Sequence, residues 1–285
     1  MKYAINNWIY DDEPLRETFK RLSRYGYDGI ELKGEPSLYD IEEIKSLCKE
    51  FNLQVTSVLG WTIWGIPGRD LASPDEAERA AAVKFLKEVV DFTVQLEAPI
   101  LLVLPFPAGR TTPTGDPQSE DEWISTAATE WKNAVDSVRQ VSEYAIKQDL
   151  TLAVEPINRF ETYQLTTAEQ ALKFIREVNA VNVKLNLDTY HMNIDESDPV
   201  EAVRRSGDYL VHMHVAGSNR QAPGSGHTDF VELFKVLEAQ KFQGTIALEP
   251  VPPGANPGMA IKLSANLPLR DQYAEEGIAF LRSLE

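Results

Sequence analysis

Four short runs in the second half of the chain decide the fold: LAVEP (152–156), LNLDTYH (185–191), HMHVAG (212–217) and IALEP (246–250). Each is an apolar, strand-like run that closes on a residue able to hold a divalent cation: Glu155, Asp188, His214 and Glu249. These residues stand 33, 26 and 35 positions apart. One strand–helix unit of an eight-fold barrel takes ~30 residues, because ~250 residues make eight of them. Each candidate ligand therefore sits one unit after the last, at the carboxyl end of consecutive parallel strands. Active sites of (β/α)8 barrels are built at that end. Three carboxylates and an imidazole converging there suit Mn²⁺, Co²⁺ or a similar ion.

Working outward, the whole chain reads as eight strand-then-helix pairs. Short apolar or β-branched runs give the strands, and longer 3.6-period runs with recognisable starts give the helices. Strands are expected at 3–9, 29–33, 54–59, 100–104, 151–155, 183–188, 210–215 and 245–249. Helices are expected at 14–25, 39–51, 73–96, 123–147, 167–179, from 198, at 230–240 and at 269–284. Ser73-Pro74-Asp75-Glu76 and Asp198-Pro199-Val200-Glu201 read as capping boxes with proline at the first helical position. Thr167 with Gln170 reads as another cap. The eighteen-residue connection PFPAGRTTPTGDPQSEDE (105–122) reads as an active-site lid or a disordered segment. Strict alternation of this kind implies a parallel sheet. A doubly wound open sheet would usually carry a Gly-rich phosphate turn after an early strand, and no G-x-G-x-x-G occurs. The expectation is one α/β domain over 1–285, a closed (β/α)8 TIM barrel.

Composition narrows the function. A chain 43% hydrophobic and 25% charged has material for an ordinary core. A net charge of −16 repels nucleic-acid backbones and anionic lipid, and no basic patch offsets it. Neither nucleic acid nor membrane is an expected partner. MKYAINNWIYDDEP lacks a signal peptide's basic and apolar regions, and the single cysteine, Cys48, fits a reducing cytoplasm.

Glu155 and Glu249 each end an apolar strand and precede a proline. A carboxylate is seldom buried without a partner, so both are expected to bind one ion and to flank a substrate from opposite sides. All four histidines (His191, His212, His214, His227) fall in this half. Alternation puts His212 and His214 on one face of their strand, with His214 nearer its end and the better ligand. Arg220, with its fixed fork of donors, and Glu161 are candidates for holding substrate hydroxyls. Trp8, Trp61, Trp64 and Phe106 are candidates for the pocket wall.

Together, EPINRFET, LDTYHMNIDE, the spaced Asn219, Arg220, Pro223, Gly224 and Gly226, and the final LEP resemble the ketose 3-epimerase family. These are the relatives of D-tagatose and D-allulose 3-epimerases within the xylose-isomerase-like barrels. The resemblance is clear over 152–250 and looser in the N-terminal half. It implies Glu155, Asp188, His214 and Glu249 as metal ligands, with Glu155 and Glu249 doubling as the acid/base pair. It also implies His191, Arg220 and Glu161 as contacts to the oxygens at the sugar's carbonyl end. The implied activity is an isomerase inverting C3 of a ketose by proton removal and return through a metal-stabilised cis-enediolate. One divalent ion per subunit is implied, Mn²⁺ or Co²⁺ ahead of Mg²⁺, in a homodimer or homotetramer. Three stretches depart from the family: Thr228-Asp229-Phe230 where a tryptophan is common, the tail PPGANPGMAIKLSANLPLRDQ, and the long loop 105–122. All three border the substrate, so an aldose–ketose isomerase, a keto-glycoside epimerase or a dehydratase/lyase remains as the alternative on the same metal set.

Overall fold

The computed structural model describes residues 1–254 and 256–285. Residue 255, in the expected loop VPPGANPGM, lies outside the described residues. In chain order the strands are β1 (Lys2–Ile5), β2 (Gly29–Gly34), β3 (Gln54–Gly60), β4 (Ile100–Val103), β5 (Thr151–Val154), β6 (Val183–Asp188), β7 (Leu210–Val215) and β8 (Thr245–Leu248). The helices are α1 (Leu15–Tyr25), α2 (Ile41–Phe51), α3 (Glu76–Gln95), α4 (Glu120–Ala145), α5 (Ala168–Val178), α6 (Thr189–Asp195), α7 (Pro199–Ser206), α8 (Phe230–Ala239), α9 (Pro257–Ala260) and α10 (Leu267–Arg282).

All strand pairs are parallel, in the order β1-β8-β7-β6-β5-β4-β3-β2. An isolated parallel bridge from Asn6 to Glu31 brings the two ends together and nearly closes the barrel. The register sets the site: Asp188 lies directly across from His214, and His214 across from Ala247. Side chains alternate along each strand, so Leu101 joins the main core under the helices. Leu102 instead belongs to a small separate cluster with Leu59, Ile100 and Ala153, against which Trp8 and Trp61 pack.

Several elements differ from their sequence-based expectation, each for a local reason. β1 stops at Ile5 because the Asn6 side chain accepts from Trp8 N–H at 3.0 Å and starts a short 3₁₀ turn, Asn7–Tyr10. The cap of α3 is Asp75, which accepts from Ala77 N–H at 2.8 Å, so Pro74 stays outside the helix. Ser73 instead accepts from Asp75 N–H at 3.2 Å. The other two caps form as read: Thr167 Oγ1 accepts from Gln170 N–H and Asp198 Oδ1 from Glu201 N–H. α4 starts three residues early, because Ser119 caps it and Glu120, Asp121 and Glu122 suit the positive end of its dipole.

The 105–122 connection is neither a free lid nor disordered. Its Arg110 is buried and donates to Asp70 Oδ2 at 2.5 Å, to Glu130 and to Thr112 O at 3.1 Å. Trp64 and Tyr163 pack against the same guanidinium.

Candidate active site

Glu155, Asp188, His214 and Glu249 all lie at the carboxyl ends of their strands, and all are buried. His214 Nδ1 is 3.1 Å from Glu155 Oε1 and 3.7 Å from Glu249 Oε2. Asp188, His214 and Glu249 each offer a ligand atom within 4.8 Å of the others, and so do Glu155, Asp188 and His191. Asp188 is common to both groups. Its other oxygen accepts from Tyr190 N–H at 2.8 Å and caps α6, a helix that starts directly at the strand end and was not expected.

Arg220 reaches into the cluster and donates to both Asp188 and Glu249. Its backbone is left-handed (φ 62°), and its carbonyl accepts from Val251 N–H at 2.6 Å, which ties its loop to the residues after β8. That loop depends on glycine at Gly226: φ is 85° there, and a Cβ would meet Ser218 Oγ at 2.2 Å.

The electrostatics follow from burial and pairing. Burial alone would raise the Asp188 carboxyl, but Arg220, His191 and His214 hold it well below the ordinary range. Burial raises Glu249, and the offset from His214 and Arg220 is incomplete. Burial disfavours charge on His214, yet Glu31, Glu249 and Glu155 raise its pKa well above the usual histidine value. The cluster thus carries the Arg220 cation and an imidazole whose proton affinity its carboxylate neighbours raise. Three buried carboxylates with one imidazole, already demanding positive charge, fit a divalent ion of the Mn²⁺ or Co²⁺ kind.

His191 stands at the edge of the cluster. Asn158 N–H donates to its Nδ1 at 3.2 Å, so in the neutral ring the proton sits on Nε2, which faces Asp188 Oδ2 at 3.6 Å. The Asn158 amide also holds Glu161 at 2.8 Å.

Above the cluster opens a cavity of about 980 Å³ whose lining includes Glu155, Glu249, Arg220, His191 and Glu161. Trp8 and Trp61 form part of its wall, and Trp8 Nε1–H donates to Glu249. Phe106 does not line it. It is buried against Trp131, Tyr163 and Phe174, an aromatic cluster that a strand-end position alone did not reveal. Trp64 lies outside it as well, half-exposed over Arg110.

A family model described as "Xylose isomerase-like TIM barrel" matches residues 19–284. The chain belongs to that family. Among its relatives is the 3-dehydro-D-guloside 4-epimerase of Escherichia coli K12, 29% identical over 87% of this chain and 92% of that protein. The D-psicose 3-epimerase of Enterocloster bolteae is 30% identical over 92% and 87%. In structure the barrel resembles D-psicose 3-epimerase crystallised with D-tagatose from Clostridium cellulolyticum H10. The TM-score is 0.85 at 25% identity, covering 100% of this chain and 99% of the other.

Among the site residues of this xylose isomerase-like barrel that the sequence left hidden, Glu31 is the most deeply involved. Glu31 on β2 is wholly buried and meets His214 Nε2 at 2.7 Å and His212 Nε2 at 3.1 Å. Ser57 Oγ–H and the Asn6 amide donate to it at 2.6 and 2.5 Å. Burial would raise its carboxyl, but the two histidines hold it well below the ordinary range. The available signal was the one used for Glu155, an acid inside an apolar strand; in GIELKG it stands mid-strand, without a following proline. His212 is a supporting residue: its Nδ1 meets Asn186 Oδ1 at 2.9 Å, and burial keeps its pKa low. His227 is exposed, and among the described residues its ring hydrogen-bonds only with Ser218.

Proposed function

We propose that this protein is a divalent-metal-dependent epimerase that inverts C3 of a ketose. One observation carries the reading. Glu155 and Glu249 leave strands separated by two others, yet both carboxylates approach the same His214 nitrogen, at 3.1 and 3.7 Å. Two glutamates so placed can address the two faces of one carbon. The relatives named for ketose epimerisation support the substrate class.

Glu155, Asp188, His214 and Glu249 would hold the ion, Mn²⁺ or Co²⁺ ahead of Mg²⁺, one per subunit. When bound, such an ion supplies Lewis-acid polarisation of a carbonyl and its neighbouring hydroxyl. The remaining work falls to side chains. One glutamate takes the C3 proton, and the other returns a proton to the opposite face. Because the reaction is reversible, the two exchange roles with direction. The raised proton affinity of Glu249 suits an acid/base group. Negative charge left on the carbonyl oxygen is shared by the Arg220 guanidinium and the His191 Nε2–H. Glu161, steadied by Asn158, accepts from a sugar hydroxyl. A cytoplasmic homodimer or homotetramer is part of this reading; among the described residues no helix is long and apolar enough to cross a membrane.

A keto-glycoside is the second substrate class, favoured by the size of the cavity and by the guloside epimerase among the relatives. The test is proton NMR of the Mn²⁺-loaded protein in D₂O with a panel of ketoses. Loss of the C3 proton with appearance of the C3 epimer is expected, and Glu155→Gln and Glu249→Gln should each abolish it. Tight metal binding without exchange at C3 of any ketose would overturn the ketose assignment.

A further inference from the structure

The cavity is larger than a free ketose needs. Pockets of ~300–1,000 Å³ house ligands of drug size. This one, about 980 Å³, stands at the top of that range, whereas a ketohexose is a far smaller molecule. The groups for the reacting carbons are strand-end residues at its base. Beyond Trp8 the wall continues. The Trp61 ring lies 6.1 Å from that of Trp8, whose Nε1–H donates to Glu249. The Lys33 ammonium sits 4.4 Å from the centre of the Trp61 ring. Lys262, also in the lining, is paired with Asp11 at 3.3 Å, but Lys33 Nζ makes no ion pair among the described residues. An indole with an unpaired ammonium over its ring offers apolar surface at its uncovered edges and three hydrogen-bond donors, the pair of features a sugar engages.

We propose that the part of the cavity lined by Trp61 and Lys33 is a second subsite, and that the sugar acted on carries a neutral glycosidic substituent held by these two residues. The proposal rests on the epimerase reading above. The substituent is neutral because the cavity lining holds seven Asp and Glu residues against three Lys and Arg, a balance that disfavours a phosphate or uronate. Two sources share this chemistry: a second sugar on a ketose, and the aglycone of a glycoside whose ring carries a ketone.

The experiment compares D₂O exchange at the carbon beside the ketone for five compounds. These are D-fructose, its 6-O-glucosyl derivative, D-fructose 6-phosphate, and the methyl and 4-nitrophenyl glucosides oxidised at C3. A substituted neutral sugar should show kcat/KM at least ~10-fold above D-fructose, the size of a few well-placed contacts, and the phosphate should fall below it. Preference for the glucosyl ketose assigns the Trp61–Lys33 subsite to a second sugar; preference confined to the oxidised glucosides assigns it to an aglycone. Trp61→Ala and Lys33→Met should each shrink the ratio towards one, and Lys33→Met keeps the test available if Trp61→Ala does not fold. Equal kcat/KM for free and substituted sugars, a preferred phosphate, or a ratio unmoved by both substitutions overturns the subsite. Absence of exchange with every ketone overturns the epimerase reading instead.

Discussion

Glu31 acts on His214 from the side away from the other carboxylates. Its Oε1 accepts from Nε2–H at 2.7 Å, so Nδ1, which faces Glu155 and Glu249, is the nitrogen left to meet an ion. A carboxylate behind a metal-ligating histidine fixes its tautomer and raises its basicity, and losing it typically costs 10–100-fold in affinity. Glu31→Gln should therefore weaken Mn²⁺ binding by ~10–100-fold while the fold survives, read by electron paramagnetic resonance titration of free Mn²⁺. Unchanged affinity would show that Glu31 only fills space. A pH dependence belongs to the same imidazole. Its pKa in the metal-free protein is raised above the ordinary 6.5, so its pairing with Glu31, Glu249 and Glu155 is fully present below that value. The contribution is lost as pH rises through the elevated folded value. An ion needing the Nδ1 lone pair must displace that proton, so Mn²⁺ affinity should climb as pH rises above about 6.5 and binding should release protons. Calorimetry in buffers of different ionisation enthalpy measures the release; a pH-independent affinity would contradict it. At this scale the sequence showed the residues that end apolar strands, because burial of an isolated acid is a local anomaly. Glu31, Asn6 and Asn186 stayed hidden because their partners lie on other strands, and pairing across a barrel leaves no mark within one segment.

Among the elements, the β4–α4 connection shows where composition misleads. Its prolines and glycines exclude regular structure, and from that a lid or a disordered segment was expected. One side chain reverses the outcome. Arg110 brings Asp70, Glu130 and Thr114 Oγ1 onto a buried guanidinium, from positions 40 and 20 residues away for the two acids. Such pairs have no periodicity to read. Removing the cation strands two buried carboxylates, a loss of roughly 3–5 kcal/mol when one partner of a buried pair is deleted. Arg110→Met should lower stability by about that amount in urea denaturation, and the triple change Asp70→Asn, Arg110→Met, Glu130→Gln should lower it less. If the single variant is no less stable than the starting protein, the network does not hold the loop. Helices and strands were otherwise legible, because alternation and 3.6-residue periods extend over whole segments. The errors fell at their ends, where single side chains such as Asn6 and Asp75 chose the stop.

Across the whole molecule, the site and the closure of the barrel are one structure. Between β1 and β2 the only described strand bridge is Asn6 to Glu31, and the Asn6 amide donates to Glu31 and, at 3.4 Å, towards Glu249. Glu31 in turn holds His214. β1 is paired directly with β8, and across the remaining seam β2 is fastened to β1 and β7 through groups that touch the proposed ligands. The eight-unit count was legible from spacing, but this dependence was not, since it needs side chains of β1, β2 and β7 to meet inside the barrel. An ion that binds only the folded state stabilises it by about 2.7 kcal/mol at a hundred times Kd. Here that stabilisation should be felt most where the barrel closes. Adding Mn²⁺ to chelator-treated protein should raise the melting temperature and slow amide exchange first in β1 and β2, although no proposed ligand lies on either strand. Asn6→Ala should remove much of that protection at β1 and β2 while leaving protection at β5 and β6 largely in place. Uniform slowing across all eight strands, with no difference in the variant, would mean that the ion steadies the barrel as a whole and that the clasp through Asn6 and Glu31 carries none of the effect.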